Sequence, residues 1–296
     1  MGWWVLSLCL VQIPVALMQW PRALAAYDAD LVQGTFEGMG PGHHVMGALA
    51  MIGGLYLLHS FRTVRWWVAW PLALMLFSLV VMSDSKQVIL AFFVAYALLR
   101  GRTVRTPAAA VGLSGRLLLG VAVIYVVLTY AGKAGYFTSI TLVLQGFLNK
   151  LAVFPLLANH FDSLAQWLFG LGPGHGVSRM GGWLIDHYWS VLEPLGGTRT
   201  GIGAEAWKAS LPYSARSSVF ALLYSWAGVF GEVGLAGFAL YAALYWYTYR
   251  RLCVDDLSRL ILLSVAVLGF LFEWLEEPNF MLFAFAVIAQ KWLVRA

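Results

Sequence analysis

Charged side chains are scarce in this chain: Asp, Glu, Lys and Arg make up 11% of its 296 residues, and hydrophobic residues make up 61%. An ordinary soluble domain carries about 25% charged and 45–50% apolar residues. So little charge excludes an ordinary solvated surface, and a mean hydropathy of +0.76 calls for a bilayer. Cysteine is nearly absent. Cys9 lies in an apolar run and Cys253 in a short charged turn, which predicts neither a disulfide nor a metal site. Missing too are a phosphate-binding glycine–lysine loop, a nucleophile elbow, an HExxH zinc helix and a dinucleotide fingerprint. The first residues carry no basic side chain and no small-residue cleavage site follows, so no cleavable signal peptide is expected. The formal charge is +5, but the basic residues form no stripe on a soluble face, which argues against nucleic acid as a partner.

What the chain does have is long apolar runs. A spanning helix needs about 20 mostly apolar residues. The runs predict an all-α fold, a polytopic transmembrane bundle of about eight spans. They cover Trp3–Gln19, His44–His59, Trp66–Met82, Gln87–Leu99, Leu117–Ala131, Val219–Tyr247, Leu260–Leu275 and Phe280–Val294. Basic residues fall in alternate connectors: Arg62 and Arg65; Arg100, Arg102, Arg105 and Arg116; Arg250, Arg251 and Arg259; Lys291 and Arg295. The positive-inside rule makes that side cytoplasmic and puts both termini there. Asp28, Asp30, Glu37, Asp84, Glu273, Glu276 and Glu277 fall on the other side. Trp3, Trp4, Trp20, Trp66, Trp67, Trp274 and Trp292 sit near predicted helix ends, where indoles favour the interface.

The whole chain, 1–296, reads as one membrane domain, with a large outer loop at 132–218 between the fifth and sixth spans. The loop is apolar as well as polar: Phe147, Leu151, Phe154, Leu156, Leu157, Trp167, Leu168, Trp183, Trp189 and Trp207 lie in it. Short amphipathic helices lying on or dipping into the membrane are expected there. Loops of this length are usually functional.

The same loop holds His175, Arg179, Asp186, His187, Glu193, Arg199, Glu205, Lys208 and Arg216, and the run Gly170-Leu-Gly172-Pro-Gly174-His175-Gly176. Glycines at this density allow tight turns and expose backbone N–H groups that can face an anion. Arginines bind phosphate oxygens in pairs. The cluster therefore reads as a site for a phosphorylated substrate, or else as a solvated loop with surface charges. His175 and His187 are candidate general bases, since imidazole titrates near neutral pH. Each is equally readable as a surface histidine. His43 and His44 are explained by their place at a helix start, and His59 by the interface.

A charge inside a span is a functional suspect. Glu232 lies in an apolar stretch in which Gly228, Gly231, Gly234 and Gly237 recur at every third position. It can act as a base, hold a loop arginine, or mark a boundary between two short helices. Lys86, in the break Ser83-Asp84-Ser85-Lys86, can face outward and take a phosphate, or pair with Asp84. Glu273, Glu276 and Glu277 read as a solvated outer turn.

Several stretches carry a resemblance. They are Gln12-Ile-Pro14 through Gln19 with Asp30-Leu-Val-Gln-Gly34-Thr-Phe36; Ser83-Asp84-Ser85-Lys86; Phe169-Gly-Leu-Gly172-Pro-Gly174; and Ser217-Ser218 followed by Gly231-Glu-Val-Gly234-Leu-Ala-Gly237. In this order and topology the chain resembles the O-antigen polymerase and ligase family of bacterial envelope polysaccharide enzymes. The resemblance implies a multi-helix enzyme of the bacterial inner membrane with its site in a periplasmic loop. It implies a glycan carried on undecaprenyl pyrophosphate as substrate, no metal, no nucleotide and no other cofactor, and other polysaccharide assembly proteins as potential partners. Loop arginines would hold the pyrophosphate, here Arg179, Arg199 and Arg216. A loop base would activate the acceptor hydroxyl, here His175 or His187. The chain departs from the family pattern in two places. Serine stands at Ser217 where much of the family has histidine, which leaves the base open, and the part before Gln12 is short. A non-enzymatic subunit of a polysaccharide assembly complex, or a transporter, are the alternative readings.

Overall fold

The computed structural model describes residues 2–38, 42–59, 64–102, 104–133, 148, 150–177, 185–206, 208, 225–271 and 273–295. Among the described residues the regular secondary structure is entirely helical, as the sequence predicts. A helix lies at each predicted span. The first is α1 (Trp3–Leu10) continued by α2 (Gln12–Ala26). Then come α3 (Gly42–His59), α4 (Trp66–Met82), α5 (Lys86–Gly101) and α6 (Pro107–Lys133). The loop follows, with α7 (Val153–Asn159), α8 (Leu164–Phe169) and α9 (Trp189–Leu192). The chain closes with α10 (Ser225–Tyr247), α11 (Asp256–Leu271) and α12 (Pro278–Arg295). Among the described residues two stretches are long and apolar enough to cross a bilayer, Trp3–Ala26 and Ser225–Leu252; Trp66–Met82, Pro107–Ala122 and Pro278–Val294 are shorter apolar helices.

The predicted starts of α6 and α11 need correction, and caps explain both. α6 begins at Pro107, so Arg116 lies within the helix and not in a connector. The Thr106 hydroxyl accepts from the Ala109 N–H at 3.2 Å, and proline at the first helical position suits a helix start. α11 begins at Asp256 and ends at Leu271, short of the predicted Leu275. Asp255 caps it, its carboxylate accepting from the Ser258 N–H at 2.8 Å. Beyond it Trp274–Glu276 forms a separate 3-10 turn.

The chain divides into two compact units, one of residues 1–140, 251–267 and 279–296, the other of 141–250 and 268–278. In the first, α3 is the central helix, buried along nearly its whole length. Its apolar residues run all round the helix, as expected of one enclosed by others. Glycines let neighbours approach: Gly53 faces Cys9 and Gly54 faces Phe77, and the Cys9 thiol donates to the Leu49 carbonyl at 3.3 Å. α4 turns Ala69, Ala73, Leu76 and Leu79 inward, while Trp66, Trp67, Trp70 and Leu74 are exposed.

An ionic cluster ties several termini of this unit together. Asp255 meets His59 at 3.0 Å and Lys291 at 3.0 Å, and Asp256 meets Arg100 at 3.2 Å and Arg259 at 3.6 Å. His59, read as an interface residue, is thus an ion-pair partner. The ends of α3 and α5, the start of α11 and the last turns of α12 meet here.

The second unit builds its core from the loop and α10. Val153, Leu157, Val177, Ile202, Ala206 and Ala227 are buried together, with Leu156, Leu171 and Phe230 packed against them. Fully burying a leucine or isoleucine such as Leu157 or Ile202 contributes about 1.5–3 kcal/mol. Phe161, Trp167 and Phe230 add edge contacts at centroid distances of 5.0–6.2 Å, so α8 lies on the first half of α10. Among the described residues the loop contains short helices, as expected, and α8 packs on α10.

Candidate functional site

α10 is not one continuous helix. At Gly234 the backbone turns to φ 63° and ψ −165°, a conformation for glycine alone. The break frees the carbonyls just before it, and in an apolar setting each unsatisfied group costs several kcal/mol. The glycine-rich loop supplies the missing donors. The Leu171 N–H donates to the Gly231 carbonyl at 2.8 Å and the Gly172 N–H to the Glu232 carbonyl at 3.0 Å. Gly170, at φ 77°, lies so close that a Cβ there would overlap the backbone of Glu232 and Val233. Gly176 packs on Gly231 and on the Glu232 side chain in the same way.

This seat places Glu232 among loop atoms. Its carboxylate accepts a hydrogen bond from the Gly174 N–H and interacts electrostatically with His175. Of the roles expected for Glu232, a boundary between two helical segments is what the backbone presents. Among the described residues Glu232 packs against the glycine loop and feels His175 electrostatically. His175 is held on both sides: Nδ1 lies 3.1 Å from the Pro173 carbonyl, and Nε2 lies 2.6 Å from the Thr198 carbonyl and 2.9 Å from its hydroxyl. A ring nitrogen facing a carbonyl is satisfied by donating. Both nitrogens thus face loop atoms; a neutral ring donates at one and accepts at the other, from the Thr198 hydroxyl when Nε2 carries the lone pair. That geometry suits a positioning or proton-donating role better than the general-base role expected of His175.

Arg199 follows Thr198 directly. Its guanidinium stacks over Trp189 at 4.0 Å and lies 3.7 Å from Asp186. The pair is exposed, so it adds little stability, but it orients the fork of donors. The site residues thus run from Glu232 through His175 and Thr198 to Arg199. His187 is exposed, with its ring edge-on to Tyr188 at 4.8 Å; no described contact brings it to Glu232. Glu205 pairs with His160 at 3.0 Å. Arg179 and Arg216, like Ser217 and Ser218, lie outside the described residues.

Lys86 belongs to the first unit. It does not face outward: its side chain is 11% exposed and ion-paired with Asp84, itself 8% exposed. The expected solvated turn is also corrected, because Glu273 is buried. It acts electrostatically on Lys150, a buried lysine that sequence reasoning did not single out. Burial pushes the Lys150 ammonium down to about 8, with Glu273 opposing the shift. Nothing in the local sequence links the two. Among the described residues no group of three His, Cys, Asp or Glu side chains is arranged to hold a metal.

Comparison with known proteins returns no match to this chain among protein-family models, curated proteins or solved structures.

Proposed function

We propose that this chain is a polytopic enzyme of the bacterial inner membrane that transfers glycans from an undecaprenyl-pyrophosphate carrier, in the manner of O-antigen polymerases and ligases. The observation that carries the reading is the seat of Glu232: a carboxylate in an apolar helix, at a break closed by a glycine loop that bears His175. Glu232 takes the proton of the acceptor hydroxyl. The hydroxyl oxygen attacks the anomeric carbon, and the carbon–oxygen bond to the pyrophosphate breaks. The lipid pyrophosphate leaves with its negative charge held by Arg199 together with Arg179 and Arg216. No step calls for a metal or nucleotide.

The topology in this reading has about eight spans, with both termini cytoplasmic and 132–218 outside. Its support is the grouping of Arg100, Arg259, Lys291 and His59 around Asp255 and Asp256. Basic connectors predicted to share a side of the membrane do meet at one end of the first unit. Exposed Trp66, Trp67, Trp70 and Leu74 on α4 supply a lipid-facing surface.

The test is a deletion strain complemented with wild type or with Arg179→Ala, Arg199→Ala or Arg216→Ala, with extracted glycans sized on a gel. A polymerase loses long chains and builds up single lipid-linked units; a ligase accumulates long chains on the carrier lipid. An unchanged ladder in every strain refutes the reading. The break in α10 also suits a carrier, since transporters bind substrates at interrupted helices. Flipping of a lipid-linked glycan by purified protein in vesicles, without new glycosidic bonds, favours that second reading.

A further inference from the structure

The first unit carries a set of titratable side chains that the glycan reading does not use. Three segments meet there: the connector that leads from α2 to α3, the first turn of α3, and the tight turn between α4 and α5. The turn is unusual. Ser83 and Ser85 are fully buried, and their hydroxyls lie 2.9 Å apart. The Ser85 hydroxyl donates to the His43 carbonyl at 3.0 Å. Between them Asp84 takes a positive φ of 51°, which is uncommon outside glycine and recurs at functional sites. That conformation turns Asp84 and Lys86 onto each other.

His43 joins the turn to water. Its Nε2 lies 3.3 Å from Oδ1 of Asp30, whose side chain is 61% exposed while that of His43 is 7% exposed. Its Nδ1 is buried and has no hydrogen-bond partner among the described residues. An imidazole with one nitrogen on a solvated carboxylate and the other unengaged in the interior can accept a proton at one and release it at the other. The ring of His44 lies 3.7 Å from that of His43, tilted by 47°. Burial works against a charge on either ring, Asp30 and Asp28 favour one on His43, and Lys86 opposes it on both. With both histidines neutral, Asp28, Asp30 and Asp84 outnumber Lys86 and leave the set net negative, and a bound proton relieves part of that charge.

We propose that Asp30, His43, His44, Asp84 and Lys86 form a proton-binding site filled from the aqueous phase through Asp30. The proton passes from water to Asp30 Oδ1, then to His43 Nε2, and rests on the histidine pair. Only O–H and N–H bonds form and break, and the proton returns to water by the same route. Occupancy changes the charge where the α3 start is pinned to the 83–86 turn, so the site reports external pH to the centre of the bundle. This inference stands independently of glycan transfer.

The test uses the full chain in lipid nanodiscs with ring-15N histidine, followed by NMR from pH 4.5 to 8.5. His43 and His44 are expected to titrate over one shared window, as interacting sites do. Asp30→Asn, on an exposed side chain, should move the His43 midpoint to lower pH by about half a unit or more, because it removes an attractive charge. The His59 and His160 curves should stay in place. In His43→Gln the His44 curve should become that of a single site. A merely structural pair would keep its shifts constant. Flat shifts for both histidines in wild type, or a His43 midpoint that Asp30→Asn leaves unmoved, overturn the proposal; the wild-type curves decide alone if His43→Gln does not fold.

Discussion

The backbone N–H of Gly172 donates to the carbonyl of Glu232 at 3.0 Å, so the loop completes a helix that its own sequence cannot. A normal helix would satisfy that carbonyl from four residues on, but the turn at Gly234 removes the donor. Loop and helix therefore fold as one piece. The carboxylate of Glu232 is positioned by the same loop that carries His175 and leads, through Thr198, to Arg199. Chemistry at this site depends on backbone seating as much as on the side chains.

The seating is tested at Gly170. Its left-handed backbone and its closeness to Glu232 both exclude a side chain. The conformation, φ 77° and ψ −172°, is essentially reserved for glycine and costs alanine about 1–3 kcal/mol, and the overlap adds to it. Gly170→Ala should lower stability by at least about 2 kcal/mol. Gly112→Ala, in α6 where a Cβ meets nothing within 4 Å, should stabilise by about 0.5–1 kcal/mol. Thermal unfolding of both variants in the same detergent separates them; equal shifts would show that the loop does not seat on α10 in this way.

Glu232→Gln keeps the shape and keeps an oxygen to accept from Gly174, but it cannot take a proton. Protein level should stay at that of wild type while transfer slows by about 10²–10⁴-fold, the usual worth of a positioned base. His175→Asn should cost less, because the ring has no lone pair turned outward. Rates measured with a lipid-linked donor decide between them. A Glu232→Gln protein as fast as wild type rules out the base, whatever His175→Asn does.

The helices could be read from the chain because an apolar run of sufficient length forces one, but α6 and α11 start ahead of their apolar runs, at the local caps Thr106 and Asp255. Glu232 stood out as a carboxylate in an apolar stretch. The break beside it did not, because glycines at every third position serve close helix packing as well as a kink. Lys86 was visible as a cation in a polar turn, but its burial against Asp84 follows from the left-handed backbone at Asp84, which no spacing announces. The Lys150 and Glu273 pair was hidden for another reason. The two residues come from distant segments, and only tertiary packing brings them together.

Asp255 makes a prediction about acid. Burial alone would raise its carboxyl, but the Ser258 N–H and hydroxyl and the Lys291 ammonium outweigh that and hold it below the usual range. A carboxylate with a depressed folded pKa adds stability that is fully present above its unfolded value, about 3.9, and is lost as pH falls through the folded value. The unfolding temperature of wild type should therefore fall below about pH 4. Asp255→Asn should be less stable at pH 7 by about 1–3 kcal/mol, since it leaves Lys291 and His59 without their charged partner. It should also show a shallower fall in acid. A parallel pH profile for the two proteins would mean that Asp255 is not held in this way.

Lys150 gives a slope of the same sign at the other end of the scale. Its ammonium is lowered to about 8 by burial, against the pull of Glu273. Between about pH 8 and the unfolded value near 10.4, the unfolded chain binds a proton that the folded chain does not. Stability from this group therefore rises with pH across that window. Lys150→Met removes the rise, and the difference in unfolding temperature between variant and wild type should change steadily from pH 8 to pH 10. Glu273→Gln removes the charge that favours the ammonium, so it should move the start of the rise below about pH 8. A difference between Lys150→Met and wild type that stays constant over this range would place Lys150 in contact with water, and its partner Glu273 with it.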